Sequence, residues 1–216
     1  MSLAHYGVLF LDEIPEFKRE TLELMRTPLE DGIITISRVF STLTYPCNFM
    51  LIASMNPCPC GYYGSPDKEC VCSTEQISKY INKISGPLLD RIDIHIEVQP
   101  VKYSDLSNKN PSESSSKIKE RVNRARYLQI ERYKKDNIHS NAQLNSTLLN
   151  KYCALTDDCK RLLENAFNKL GLSARAHDRI LKLARTIADL EESNEIKIKH
   201  LAEAIQYRSL DRKYWG

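Results

Sequence analysis

The sequence predicts an α/β unit followed by an all-helical unit, and three observations support this fold class. Two short apolar segments, residues 7–13 and 48–56, are typical of strands buried within a sheet. A stretch rich in Ser, Asn and Pro over 101–116 is typical of a linker between domains. The residues from 117 onward carry the periodicity of helices. We therefore expect one domain over 4–100 and a second over 117–216.

The composition is that of an ordinary water-soluble protein. The chain has 216 residues, of which 42% are hydrophobic and 27% are charged. Its apolar runs are far shorter than the ~18 residues that span a membrane, and its start lacks the pattern of a signal peptide. Seven cysteines without a secretory signal favour a reducing compartment. We expect a cytoplasmic protein with no membrane partner.

Charge is distributed unevenly along the chain. Residues 1–100 hold 8 Lys and Arg against 13 Asp and Glu, whereas residues 101–216 hold 23 against 15. The basic second half permits contact with a polyanion such as nucleic acid. The alternative is a solvated helical surface, which explains the same charges, so both interpretations stay open.

The first unit is predicted to alternate between strands and helices. Between the two buried strands we expect a helix over 16–26, which Pro28 ends or kinks, and a hairpin over 33–45 with Arg38 near its tip. After the second strand we expect a cysteine-bearing loop over 57–74, a helix over 75–84 and a strand over 91–98. The last strand is predicted from strict alternation in "RIDIHIEV", which would bury one face.

The second unit is predicted to be entirely helical. Helices are expected over 117–135, 145–153, 156–170, 173–191 and 197–207. Thr156 and Ser173 are suited to cap helices, and Gly171 to end one. The first of these helices carries eight Lys or Arg. It could follow a phosphate backbone, or it could pack on the domain through Ile118, Val122 and Ala125 with its charges solvated.

Two acids, Asp12 and Glu13, end the first apolar strand. Parallel strands deliver their C-terminal residues to the crevice where ligands bind. There an Asp can hold Mg²⁺ through water, and the following Glu can polarise a water for attack on a γ-phosphate. The alternative is a buried strand that happens to end in acids.

Three further residues are of the types that a nucleotide site uses. Asn56 ends the neighbouring strand, where its carboxamide could bond the same water or the γ-phosphate. Arg91 follows "SGPLLD" and could neutralise transition-state charge across a subunit interface. Arg175 lies in the first turn of a predicted helix of the second unit. Each of them, taken singly, is more often structural.

Four of the cysteines form two close pairs, Cys58 with Cys60 and Cys70 with Cys72. Four thiolates satisfy tetrahedral Zn²⁺ in structural sites. The alternative is four reduced thiols on a loop. We expect the other three cysteines, at positions 47, 153 and 159, to be ordinary buried residues, and the histidines show no ligand spacing.

Taken together, the chain resembles the C-terminal portion of the magnesium-chelatase-like AAA+ ATPases of the ComM/YifB competence-protein family. The matching stretches are "GVLFLDEIPEFKRETLELMRTPLEDG", "TISR", "ASMNPCPCGYYG", "SGPLLDRIDIHIEV", "GLSARAHDRILKLARTIADL" and "EAIQYRSLDR", which are distributed along nearly the whole of 4–212. The resemblance implies the second half of an AAA+ core with a hairpin insertion, followed by a helical lid domain.

The resemblance also implies roles for individual residues. Asp12 and Glu13 match the Walker B pair, Asn56 matches sensor 1, Arg91 the arginine finger and Arg175 sensor 2. The 33–45 hairpin resembles the pre-sensor-1 hairpin, which in related rings faces the pore and touches DNA. The family implies hexameric rings that hydrolyse ATP with Mg²⁺ and act in DNA branch migration during natural transformation.

One departure from the family pattern concerns phosphate binding. The sequence contains no G-x-x-x-x-G-K-[ST], the loop that cradles the nucleotide phosphates. In the family this loop lies upstream of Walker B, so we expect this chain to be a fragment that does not hydrolyse ATP by itself. Two alternatives stay open: an ATPase subunit of a metal-chelatase complex acting on protein partners, and a zinc-stabilised binding module.

Overall fold

The computed structural model describes residues 1–38, 40–101 and 112–208. Contacts divide the chain into two compact units, one spanning Met1–Ile92 and the other beginning at Asp93. The predicted linker over 101–116 lies largely outside the described residues and stays a prediction. None of the helices in the described ranges combines the length and apolar content that crossing a membrane requires.

The first unit contains a two-stranded parallel sheet. Strand β1, Val8–Leu11, pairs with β4, Met50–Ala53, and Val8 lies opposite Met50. Leu9, Leu11 and Leu51 pack against the core of this unit. The expectation that both faces are buried is wrong for this chain: Phe10 on the opposite face is 59% exposed. Within the described residues the sheet has two strands, and the core lies against one face of it.

The segment after β1 forms two short helices rather than one. A 3₁₀ turn over Ile14–Glu16 precedes helix α1, Arg19–Glu23, and helix α2, Arg26–Asp31. The helical run does break before Pro28, at Leu24 and Met25, and Pro28 itself lies in the first turn of α2, where the missing N–H of proline has no helical partner to lose. Gly32, at φ 67°, ends α2 in the left-handed conformation.

The predicted hairpin is confirmed. Strand β2, Ile33–Arg38, pairs antiparallel with β3, Ser41–Pro46, and Arg38 lies opposite Ser41 at the tip. One face carries hydroxyls, including Thr35 and Thr44, whose side-chain oxygens lie 3.1 Å apart. The other face carries apolar side chains, and the register places Ile36 opposite Leu43 there.

Helix α3, Thr74–Ile81, confirms the helix expected over 75–84, and α4, Gly86–Leu89, follows it. Ser73 caps α3 in a capping box with Gln76. The strand predicted over 91–98 is wrong, because the described structure forms no strand there. Ile92 packs against the core of the first unit, but Ile94, Ile96 and Val98 are exposed, Val98 by 84%. Among the residues that the structure describes, no strand pairs with this segment to cover those side chains.

The second unit is helical, as predicted. Its helices are α5 (Ser115–Tyr133), α6 (Ser146–Tyr152), α7 (Asp157–Leu170), α8 (Ala174–Leu190) and α9 (Ile198–Gln206). Thr156 and Ser173 cap α7 and α8 through their side-chain oxygens, and Gly171 ends α7 at φ 62°. The apolar core includes Tyr133, Leu149, Leu163, Ile180, Ala184 and Leu201.

A buried polar network connects three parts of this helical core. Asp189 on α8 is 0% exposed. Its carboxylate accepts hydrogen bonds from Arg132 on α5, from Arg185 Nε at 3.1 Å and from Asn141 Nδ2 at 2.9 Å. Burial acts to lower the pKa of Arg132, but its interactions with Asp189 and Tyr133 together outweigh burial and raise that pKa. The network therefore places one buried carboxylate between two guanidinium groups.

Candidate functional site

Asp12, Glu13 and Asn56 follow the C-terminal ends of adjacent strands. Asp12 and Glu13 come directly after β1, and Asn56 comes three residues after the end of β4. Because β1 and β4 are parallel, these ends share one edge of the sheet. All three side chains are exposed. The arrangement presents two carboxylates and a carboxamide to solvent at the edge where α/β proteins bind ligands.

Ser54 joins the two strand ends and was missed by the sequence argument. Its hydroxyl donates to Asp12 Oδ1 and lies 3.3 Å from the Glu13 backbone nitrogen, from which it accepts. The sequence predicts a strand that continues to Asn56, so Ser54 lies inside that predicted strand; only the observed end of β4 at Ala53 places Ser54 at the strand end.

Asn56 is held from its other side by α3. The Asn56 backbone hydrogen-bonds the hydroxyl of Tyr80, a buried residue on that helix. Burial raises the pKa of Tyr80, and the bond from Asn56 opposes the shift. Glu16, after β1, pairs with Lys83 at 3.3 Å. The segment carrying Asn56 is thus fixed by β4 before it and by α3 beside it.

Arg91 lies just beyond α4 and is engaged within its own unit. Its Nη1 donates to the Pro87 carbonyl at 2.7 Å, and its Nη2 forms an ion pair with Glu30. The side chain is 9% exposed. The guanidinium is therefore held by an acid of the same chain.

Arg175 belongs to the second unit. It is exposed and lies in the first turn of α8, as the sequence predicted. Ser173, the cap of that helix, accepts from the Ala176 backbone nitrogen at 3.2 Å. The capped helix start fixes the backbone of Arg175 and leaves its long side chain at the surface.

The hairpin tip presents a cation and an aromatic ring. Arg38 is exposed, and Phe40 is 98% exposed at the turn between β2 and β3. Guanidinium groups attract phosphates, and aromatic rings stack on unpaired bases. This pairing of residue types suits contact with single-stranded nucleic acid.

The four clustered cysteines come together as the sequence predicted. The sulfur of Cys58 lies 3.3 Å from that of Cys60 and 3.6 Å from that of Cys70, and Cys60 and Cys70 are 3.5 Å apart. With Cys72 included, all four sulfurs lie within 4.8 Å of one another. Tetrahedral zinc with Zn–S bonds of about 2.3 Å places its sulfurs roughly 3.8 Å apart. The donor set fits a four-thiolate metal centre.

The loop backbone also turns toward these sulfurs. The Tyr63 nitrogen donates to Cys58 Sγ at 3.4 Å. A backbone hydrogen bond from Tyr62 is the largest of the effects that lower the pKa of Cys60, to about 6. For Cys70, a backbone bond from Cys72 acts to lower the pKa, but burial and bonds from the neighbouring thiols outweigh it and raise the pKa. The remaining three cysteines are buried, as expected.

The basic helix α5 pairs much of its charge with acids. Arg132 bonds Asp189, Arg124 lies 3.0 Å from Glu192, and Arg121 lies 2.9 Å from Glu113. Of its three expected packing positions, Ala125 is buried, whereas Ile118 and Val122 are more than 40% exposed. The predicted packing through Ile118 and Val122 is therefore wrong, and the buried positions of this helix are Ala125, Gln129 and Tyr133. The ion pairs favour a helix whose charges are paired or solvated over one that follows a phosphate backbone.

Comparison with known proteins gives two family matches. The profile described as "Magnesium chelatase, subunit ChlI" matches residues 1–106, and that described as "Magnesium chelatase, subunit ChlI C-terminal" matches residues 112–208. The chain is 46% identical to YifB of Salmonella typhimurium over 214 residues, 45% identical to YifB of Escherichia coli, and 46% identical to the competence protein ComM of Haemophilus influenzae over 213 residues.

Each of these alignments covers 98% of this chain. The chain in turn spans 41% of the length of each relative. The two family matches together cover residues 1–106 and 112–208 and so include residues of both structural units. The chain belongs to the magnesium-chelatase-like proteins of the ComM/YifB family.

Proposed function

We propose that the chain supplies the hydrolytic half of an ATPase site in a ring-forming AAA+ motor that acts on DNA. The observation that carries this proposal is the edge formed by β1 and β4, where Asp12 and Glu13 stand beside Asn56. In a magnesium-chelatase-like protein such an edge is suited to phosphoryl transfer. The first unit would then be part of an AAA+ core, and the helical unit its lid.

Each site residue has a role in this proposal. Asp12 would hold Mg²⁺, Glu13 would orient and polarise the attacking water, and Asn56 would bond that water or the γ-phosphate. Arg91 acts on the nucleotide of a neighbouring subunit, and Arg175 reaches nucleotide from the helical unit. Mg²⁺, when bound, neutralises charge on the phosphates. The phosphate cradle must come from the upstream segment that the family resemblance implies.

DNA is the favoured partner for two reasons. The hairpin tip exposes Arg38 and Phe40, a combination suited to unpaired DNA. A 46% identical relative is named competence protein ComM, of Haemophilus influenzae, and the family resemblance implies action on DNA. The second candidate is an ATPase that drives protein partners in a metal chelatase, which the description of the matching family favours.

The two candidates predict different responses to DNA. We define the extended protein as this chain joined to the upstream phosphate-binding segment. A DNA motor should hydrolyse ATP faster when single-stranded or forked DNA is added, whereas a chelatase-type ATPase should not respond. The 216-residue chain is the control, since without a phosphate cradle it should neither hydrolyse ATP nor bind it tightly. Low-micromolar ATP affinity of the 216-residue chain, measured by calorimetry, would contradict this assignment.

The cysteine cluster has a structural role in the same proposal. Zn²⁺ would be held by Cys58, Cys60, Cys70 and Cys72, whose sulfur separations fit tetrahedral thiolate coordination. Such a centre would tie the loop after β4 to the start of α3, and so brace the segment that carries Asn56. Considered without the upstream segment, the chain would be a zinc-stabilised binding module.

Zinc content provides the test of this centre. Chain purified under reducing conditions without chelator should hold about one zinc, and the double substitution Cys58→Ser and Cys70→Ser should remove it because two of four ligands are lost. Hydrogen exchange across residues 57–74 should then accelerate. Cys47→Ala, which removes a thiol outside the cluster, should leave the zinc content unchanged. A wild-type chain without zinc by elemental analysis would refute the centre.

A further inference from the structure

Ser54 fastens the end of β4 to the chain leaving β1 through its backbone. Its nitrogen donates to the Leu11 carbonyl at 2.9 Å, which extends the parallel ladder by one residue. Its carbonyl accepts from the Ile14 nitrogen, also at 2.9 Å. The two bonds lie on either side of Asp12 and Glu13. The acidic pair therefore sits in a short span whose two ends are held by one residue of the neighbouring strand.

The Ser54 hydroxyl engages the acidic pair itself. It donates its hydrogen to Asp12 Oδ1 and accepts from the Glu13 backbone nitrogen at 3.3 Å. A hydroxyl has one hydrogen and two lone pairs, so both bonds can exist together. One side chain thus fixes the carboxylate of Asp12 and the backbone of Glu13.

The backbone of Glu13 needs such a restraint. It has φ 50° and ψ 53°, the left-handed conformation, which is unfavourable for a residue with a Cβ. Strained conformations of this kind persist where surrounding bonds determine them, and they concentrate at functional sites. Here the amides of Glu13 and Ile14 both bond to Ser54, which holds the turn on each side of the strained residue.

We propose that Ser54 is the positioning residue of the Asp12–Glu13 pair. It holds one oxygen of the Asp12 carboxylate and maintains the left-handed turn that sets the direction of the Glu13 side chain. This inference rests on the proposed ATPase function, in which those carboxylates serve Mg²⁺ and the attacking water. Ser54 acts through both acids and does not touch the nucleotide.

The first test uses the 216-residue chain and is independent of ATP hydrolysis. Ser54→Ala should accelerate amide exchange at Glu13 by about tenfold, because its acceptor is lost. Exchange at Ile14 should change much less, since its acceptor is the backbone carbonyl of Ser54. Ser54→Thr should retain slow exchange at Glu13. Ser78→Ala, which removes a hydroxyl from α3 that bonds Asn82, is the matched control. Unchanged exchange at Glu13 in Ser54→Ala would overturn the inference.

The second test uses the extended protein. Ser54→Ala should lower kcat roughly 10-fold to 100-fold through misplaced carboxylates, with KM for ATP nearly unchanged and more Mg²⁺ needed for half-maximal rate. Ser54→Thr should restore most of kcat. A wild-type kcat in Ser54→Ala would refute the positioning role. An extended wild-type protein that hydrolyses no ATP would instead refute the proposed function, while the exchange result would still show whether Ser54 holds the turn.

Discussion

Replacement of Arg91 by alanine in the extended protein should lower kcat for ATP hydrolysis by roughly 10³-fold and leave ATP binding nearly intact. The family resemblance places this residue at a subunit interface, where its guanidinium would neutralise charge that develops in the transition state of the neighbour's nucleotide. Arg91→Lys should recover little activity, because a point charge lacks the planar fork of the guanidinium. The measurement is steady-state ATPase activity alongside nucleotide affinity.

The structure adds a competing role that any test must separate. Arg91 is paired with Glu30 and with the Pro87 carbonyl and is 9% exposed. To act as an arginine finger, Arg91 would have to release the Glu30 carboxylate and bind a phosphate of the neighbouring subunit's nucleotide. Glu30→Gln weakens this pairing but leaves the guanidinium in place. If Arg91 is a finger, Glu30→Gln should remain active. If Arg91 is structural, both substitutions should lower thermal stability and activity together.

Mixed rings test whether Arg91 acts across the interface. Glu13→Gln should also stop hydrolysis, but it damages the subunit's own site. In a ring that contains both variants, some interfaces combine an intact Glu13 from the Arg91→Ala subunit with an intact Arg91 from its Glu13→Gln neighbour. Those interfaces should recover activity that neither variant has alone. Verified mixed rings without recovery would place Arg91 in its own site or in a structural role.

The parts of the structure that the sequence predicted depend on local chemistry. Strands β1 and β4 follow from their apolar runs, and the hairpin and helices α5–α9 follow from alternation and helical periodicity. Thr156, Ser173 and Gly171 mark helix ends through capping geometry. Asp12 and Asn56 share an edge because each follows a strand and the strands are parallel. The two cysteine pairs lie on one short loop, and their four sulfurs lie within 4.8 Å of one another.

The failed predictions share a physical cause. Alternation over 91–98 indicates which side chains a strand would bury, but it does not supply the neighbouring strand, and Ile96 and Val98 are exposed here. The apolar runs of β1 and β4 likewise indicate two covered faces, whereas one face packs on the core of this chain. Pairings such as Arg91 with Glu30, 61 residues apart, depend on the folded arrangement and leave no local signal.

The second large effect is expected from Asp189 in the helical unit. Asp189→Asn should lower the free energy of unfolding by about 3–5 kcal/mol. The substitution removes the negative charge that lies between Arg132 and Arg185. The asparagine NH₂ group would then face guanidinium N–H groups, which can donate hydrogen bonds but cannot accept them. Arg185 is 2% exposed, so water cannot replace the lost partner. Urea denaturation followed by the helical circular dichroism signal measures the loss.

Glu192→Gln is the matched control for Asp189→Asn. It removes a carboxylate that pairs with Arg124 of the same helix α5, but both side chains are about 60% exposed. An exposed pair of this kind contributes at most about 1 kcal/mol, and salt screens it. The difference in unfolding free energy between the two variants therefore reports how much burial adds to the contribution of a carboxylate–guanidinium pair. Should Asp189→Asn cost no more than Glu192→Gln, the helical unit would be stabilised by its apolar core, and the network around Asp189 would contribute little.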